Sequence, residues 1–264
     1  MLKMEKTAGL FRYLTFGLRQ EWMELFFKLK TKVLESSNLG PIQIDALYFY
    51  LKDMELIINR SETTIFYEKV SYLYQQEGIN SENLWSFLWV NLYFNAPLFR
   101  WWGSLGRGEY TREMTIYLLS DFYGKKNRSI TNAYSALIGT FERTPIGNGL
   151  KIGKVEKDCR VRKIIKEGGY NFDPIAVLYS LYKYAEINKI YQIELEYIKD
   201  SSFSSQNIFV LSTEEIERLL LSLFEPEFLK TDFINEKMVF GLNNHKNNLD
   251  VLDLYHQQGR KSWI

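Results

Sequence analysis

Histidine and cysteine are nearly missing, with two of the first and one of the second in 264 residues. The lone Cys159 excludes an intramolecular disulfide and any multi-cysteine zinc site, and it suits a reducing interior. His245 and His256 stand far apart in the chain, whereas ligands on one helical face need spacings of three or four. Neither a metal nor a cofactor is expected. Lys157, Arg160 and Arg162 surround Cys159 with charge that would lower a thiol's pKa. A thiolate without a placed base and orienting group is still not a mechanism. Long apolar runs are lacking too. No stretch reaches the roughly 18 uncharged residues a membrane span needs, and the richest, 84–96, is stopped by Pro97. The opening residues lack the apolar core and small-residue cleavage site of a signal peptide. A soluble, cytoplasmic protein is expected. Charge of one sign is also scarce. With a net charge of +1, any attraction to nucleic acid must come from local patches.

What is present is aromatic. Phe, Trp and Tyr make up 16% of the chain, more than a solvated surface can hold, so most rings must be buried. Trp22, Leu25, Phe26, Leu29 and Val33 recur at helical spacing. Gly40 and Pro41 then break the chain before a second helix with Ile44, Leu47, Tyr48 and Leu51 inward. The pair reads either as a helix-turn-helix or as two ordinary packed helices. Further helices are predicted over 62–77, 111–123 and 129–143. Ser81 is placed to cap another that carries Leu84, Trp85, Leu88, Trp89 and Leu92. That stripe and Trp101–Trp102 could stack bases, but such stripes usually form core. Gly103, Gly106 and Gly108 mark a loop.

The expected organisation is a helical domain over 1–143, a basic glycine-containing junction over 144–170, and a winged-helix-like α+β module over 171–264. In the last, Asp173 and Pro174 open a helix. A strand is predicted at 208–211. Ser212 with Glu215 forms a capping-box pattern, and two short strands are predicted at 229–233 and 238–242. The fold class is mainly α.

Catalytic patterns fail one by one. In the segment 145–154 the four-spacer start of a phosphate loop falls on Asn148, and Lys154 is followed by Val155. The segment follows a helix, so no dinucleotide-binding fingerprint arises. Glu194 with Glu196, and Glu214, Glu215 and Glu217, are adjacent acids without the opposed environments that acid–base work needs. Charge remains. Lys151, Lys154, Lys157, Arg160, Arg162, Lys163 and Lys166 crowd one segment, and Lys125, Lys126 and Arg128 form a second cluster. Such groups either neutralise phosphates or are merely solvated.

One likeness extends along most of the chain. It begins at Phe11-Arg12-Tyr13-Leu14-Thr15-Phe16-Gly17-Leu18-Arg19 with Trp22. It continues through Leu39-Gly40, Leu56-Ile57, the tryptophan-rich stretch to Trp102, Thr144-Pro145-Ile146-Gly147 and Ile208-Phe209-Val210-Leu211-Ser212. In these residues the chain resembles the bacterial family catalogued as domain of unknown function 4007. The resemblance implies proteins encoded beside sulfurtransferases of the phosphoadenosine-phosphosulfate-reductase type and other DNA-modification or phage-defence genes. It brings no catalytic residues with it.

The expected function is a non-enzymatic DNA-binding accessory of such a system, with duplex DNA and the system's proteins as partners. The alternative is a protein-interaction scaffold supporting a partner enzyme without touching nucleic acid. A nuclease is the third reading, and no carboxylate–lysine site supports it.

Overall fold

The structure, a computed structural model, describes residues 12–35, 39–124, 128–158, 161–169, 172–198, 202–223, 225–234 and 237–255. It is mainly helical with two small antiparallel sheets and divides into two compact units, Met1–Gly169 and Tyr170–Ile264.

In the first unit α1 (Gln20–Leu29) runs into a 3-10 turn, Lys30–Glu35. Helix α2 (Pro41–Asp53) follows, with Pro41 in its first turn, where the missing N–H costs nothing. Thr64 caps α3 (Ile65–Glu77) by accepting from the Tyr67 amide at 3.1 Å. Ser81 caps α4 (Glu82–Asn95) as its sequence position predicts, accepting from the Leu84 amide at 3.0 Å. Helix α4 is buried at every position from Leu84 to Phe94. A helix apolar all round must lie inside, so the tryptophan stripe is core. The indole of Trp85 donates to the Ile79 carbonyl at 2.7 Å, and that of Trp102 to Ile152 at 2.8 Å. Asn91 and Asn95 of the same helix donate to the Met54 and Asp53 carbonyls and tie down the end of α2.

Helix α5 (Pro97–Ser104), α6 (Arg112–Tyr123), α7 (Arg128–Arg143) and the single turn α8 (Pro145–Asn148) complete the helices. The glycine-marked loop after α5 contains a strand, β1 (Gly108–Thr111), so this unit is not all-helical. It pairs antiparallel with β3 (Val161–Lys166), which pairs in turn with β2 (Lys154–Asp158). Ile164 faces both Tyr110 and Val155 in register and is fully buried. Residues 154–166, expected in a junction, therefore belong to the first unit. The glycines before them allow close packing: a Cβ on Gly147 would meet the Phe141 carbonyl oxygen at 2.0 Å, and one on Gly153 the Phe141 ring at 2.4 Å.

The second unit opens with α9 (Pro174–Asn188), capped by Asp173, which accepts from the Ile175 amide at 2.8 Å. Strand β4 (Gln192–Ile193), the short turns α10 (Leu195–Ile198) and α11 (Ser205–Phe209), and α12 (Thr213–Ser222) follow. The Ser212–Glu215 capping box is formed in both directions, at 2.6 and 3.2 Å. Strands β5 (Leu229–Ile234) and β6 (Lys237–Leu242) make a hairpin, and a turn, α13 (Asn248–Val251), comes last. The sheet order is β4-β6-β5. The strand predicted at 208–211 is instead the end of α11. Ser204 caps that turn by accepting from the Asn207 amide, and Gln206 donates to the Leu195 carbonyl. A four-residue apolar run has no periodicity to separate the two forms, and the cap settles the helical one.

Candidate functional site

The expected phosphate surface, 151–166, is largely neutralised where it stands. Strand register sets Glu156 opposite Lys163. Lys154 reaches Glu156 at 2.8 Å, and Lys163 lies 3.0 Å from Glu109 and 3.6 Å from Glu156. Lys157 pairs with Glu142, whose other oxygen lies 3.8 Å from Arg162. Lys151 uses its carbonyl to accept from the Gly168 amide, in a backbone with φ of 54°.

Lys166 is a correction outright: it is 1% exposed and cannot meet a duplex. Its ammonium donates to the carbonyls of Trp102, at 2.8 Å, Gly103, at 2.9 Å, and Leu105. Those carbonyls gather at the end of α5, where a cation also meets the negative end of the helix dipole. Burial pushes the Lys166 ammonium down to about 7, because a charge taken from water is disfavoured. Arg128 is exposed in the first turn of α7. Lys125, Lys126, Arg160, Cys159 and His256 lie outside the described residues. His245 sits in an exposed turn before α13, not on a helix. Among the described residues no three histidine, cysteine, aspartate or glutamate side chains gather as metal ligands would.

A different set of cations does converge. A cleft of about 610 Å³ in the first unit is lined by Arg19, Arg112, Arg143 and Arg162 together with Glu113, Glu142 and Tyr134. Of the described sequence candidates, only Arg162 belongs to it. The wall that carries Arg19 is the aromatic opening of the chain. Tyr13 stacks on Tyr50 with centroids 4.1 Å apart and donates to Asp53, which Arg12 also engages. Burial pushes Asp53 up to about 6, and the Tyr13 hydrogen bond and Arg12 charge keep it from rising further. Gly17 then lies directly on α7. A Cβ there would come within 2.2 Å of the Gly139 carbonyl carbon. The Leu18 amide donates to Thr140 Oγ1 at 2.9 Å, and the Tyr50 hydroxyl stands 3.1 Å from both Thr140 Oγ1 and the Phe16 carbonyl.

Two residues beyond Gly17, Arg19 holds its guanidinium 5.0 Å from the Trp22 ring. Its Nε is buried with no hydrogen-bond partner among the described residues. Arg112 opens α6, which Thr111 caps, and its guanidinium lies 5.9 Å from the Tyr134 ring. Arg143 ends α7, and Arg162 comes from β3. Partial burial alone would raise the Glu142 carboxyl, but the Lys157 hydrogen bond and the charges of Arg162, Lys157 and Arg143 hold it below the usual range. Burial raises the Tyr134 phenol, which the Arg112 and Arg162 charges pull back. Guanidinium is charged at any relevant pH and presents planar paired donors, so the chemistry offered is recognition of oxyanions. The four arginines share no local spacing. The one signal in sequence is that Arg19 closes the aromatic motif behind a glycine.

The second unit differs in charge. Glu214 and Glu215 occupy the first turn of α12. Burial first, then the charges of Glu214 and Glu196, raise the Glu217 carboxyl. At the end of β5, Phe233 is 65% and Ile234 45% exposed.

No protein-family model matches the sequence, and no curated protein matches it. Two solved structures are similar in fold. A magnesium-ion-bound crystal structure of SspB is 14% identical, covering 95% of this chain and 88% of that one, with a TM-score of 0.68. A second SspB crystal structure is 12% identical over the same shares, again with a TM-score of 0.68. At such identity the likeness is one of architecture. No helix among the described residues is long and apolar enough to cross a membrane.

Proposed function

We propose that this protein is a non-enzymatic, cytoplasmic DNA-binding accessory of a bacterial DNA-modification or phage-defence system, and that it grips nucleic-acid phosphate with the arginine cleft of its first unit. The observation that carries the reading is the convergence of Arg19, Arg112, Arg143 and Arg162 on one concave surface. Phosphate contacts of this kind position a strand without reading its sequence. The resemblance to the family of unknown function supplies the cellular setting. The order of the second unit also supports it: helix, strand, helical turns, helix, then a hairpin whose last strand pairs with the first. That is the order of a winged helix. Helix α2 is a poorer duplex contact than the cleft, since its outward Asp45 is engaged by Arg60 at 2.7 Å. One of the SspB structures carries magnesium.

The test is a fluorescence-anisotropy titration with duplex DNA across a salt series. Binding at micromolar protein whose logarithm falls linearly with that of salt is expected, with a slope that shrinks by roughly one per arginine removed. Binding that is absent, or indifferent to salt, overturns the proposal.

A second reading applies to the second unit. Helix α12 carries Glu214 and Glu215 in its first turn, and acids facing phosphate repel it. Together with exposed Phe233 and Ile234, this favours protein docking for the second unit. Co-purification with a neighbouring gene product, lost on Phe233→Ser, is the expected result.

A further inference from the structure

We infer that the arginine cleft is a site for a phosphate monoester, the terminal phosphate of a nucleic-acid strand, and not for the internal diesters of a duplex. The inference rests on the nucleic-acid reading above and narrows it. Three observations lead to it.

The first is size. At about 610 Å³ the cleft falls within the range of pockets that enclose a small molecule, roughly 300–1,000 Å³. A double helix does not enter such a space, but a strand's last nucleotide does.

The second is charge. Four guanidiniums face two carboxylates, Glu113 and Glu142, leaving two positive charges in excess. A diester carries one negative charge. A monoester carries close to two at neutral pH, with three strong acceptor oxygens. Glu142 is already held as a carboxylate by Lys157, Arg162 and Arg143, so it does not compete as a proton donor.

The third is an unused donor. Arg19 Nε is buried without a partner among the described residues, and a buried donor left unpaired is unfavourable. Arg19 lines the cleft, so a turn of its side chain that presents Nε to an oxyanion would remove that cost.

The experiment compares one labelled duplex in three forms: ends fully hydroxylated, 5′-phosphorylated and 3′-phosphorylated. At moderate salt one phosphorylated form is expected to bind on the order of tenfold tighter than the hydroxyl form, the effect of one added charge-assisted contact. Inorganic phosphate and a nucleoside monophosphate should each compete for that preference. Arg143→Ala and, separately, Arg112→Ala should abolish it while circular dichroism stays unchanged, because both side chains are exposed. Lys154→Ala should keep it. Equal binding of all three forms, without competition by phosphate, overturns the inference and leaves the DNA-binding proposal standing. Arginine-dependent binding of the nucleoside monophosphate with no duplex binding does the reverse, supporting the monoester site with a free nucleotide as its source. A preference that survives both arginine substitutions overturns the placement in this cleft.

Discussion

The run 151–166 and the arginine cleft are two basic regions of the same unit that share Arg162, and they differ in how far their charge is answered. The run is basic in sequence and nearly neutral in space, because strand pairing delivers Glu109 and Glu156 to its lysines and α7 delivers Glu142. The cleft is invisible in sequence and basic in space, because its arginines arrive from four separate elements. Density of charge along a chain is thus a poor guide to field at a surface. What matters is whether folding brings counter-charges along with the cations or leaves them behind.

The sharpest break of that comparison is Lys166→Met. The side chain is charged in sequence yet serves as a buried cap, so its loss should cost about 3 kcal/mol of stability by stranding carbonyl acceptors. Urea unfolding measures the loss, and nucleic-acid affinity of the folded fraction should not change. A similar magnitude is expected from pH. Asp53 titrates near 6 in the fold against an ordinary 3.8. Its protonated form is therefore favoured by folding, and its contribution is full below about pH 4 and lost as pH rises through 6. That amounts to roughly 3 kcal/mol, read as the difference in unfolding free energy between the wild type and Asp53→Asn across this window. Next comes Gly17→Ala. The added methyl meets the Gly139 backbone and must push the cleft wall away, at about 1–3 kcal/mol. Thermal unfolding should detect the loss, and duplex affinity should drop with it. Arg143→Ala should leave stability within about 0.5 kcal/mol and weaken duplex binding on the order of tenfold at low salt. Smallest is Lys154→Ala, expected to change affinity less than twofold because Glu156 already holds that charge. A large effect there, with none at Arg143, would invert the comparison.

Much of the architecture is legible in the residues. Ser81, Asp173 and the Ser212–Glu215 pair announce their helices because capping is local chemistry, settled within three positions. The hairpin 229–242 follows from short apolar runs around a turn. The tryptophan stripe sorts itself into the core through its bulk. The site is less legible, and for a physical reason. Lys163 and Lys166 look alike on a line, yet strand position leaves the first part-exposed among carboxylates and seals the second under α5. Strand β1 hides behind glycines that read as loop, and only its distant partner 161–166 makes it a strand. Arg19, Arg112 and Arg143 are isolated charges until tertiary contacts gather them.

The closeness of Gly17 to Gly139 has a consequence in time as well as in space. The Leu18–Thr140 hydrogen bond spans 122 residues, and contacts this distant along the chain form late because a long loop must close first. In synthesis residues 13–19 precede α7 and β3, and the cleft stays incomplete until Arg162 has emerged and residues 17–18 pack on α7. The binding surface is therefore a late product of synthesis, and a nascent chain stopped before β3 would hold Arg19, Arg112 and Arg143 but lack Arg162.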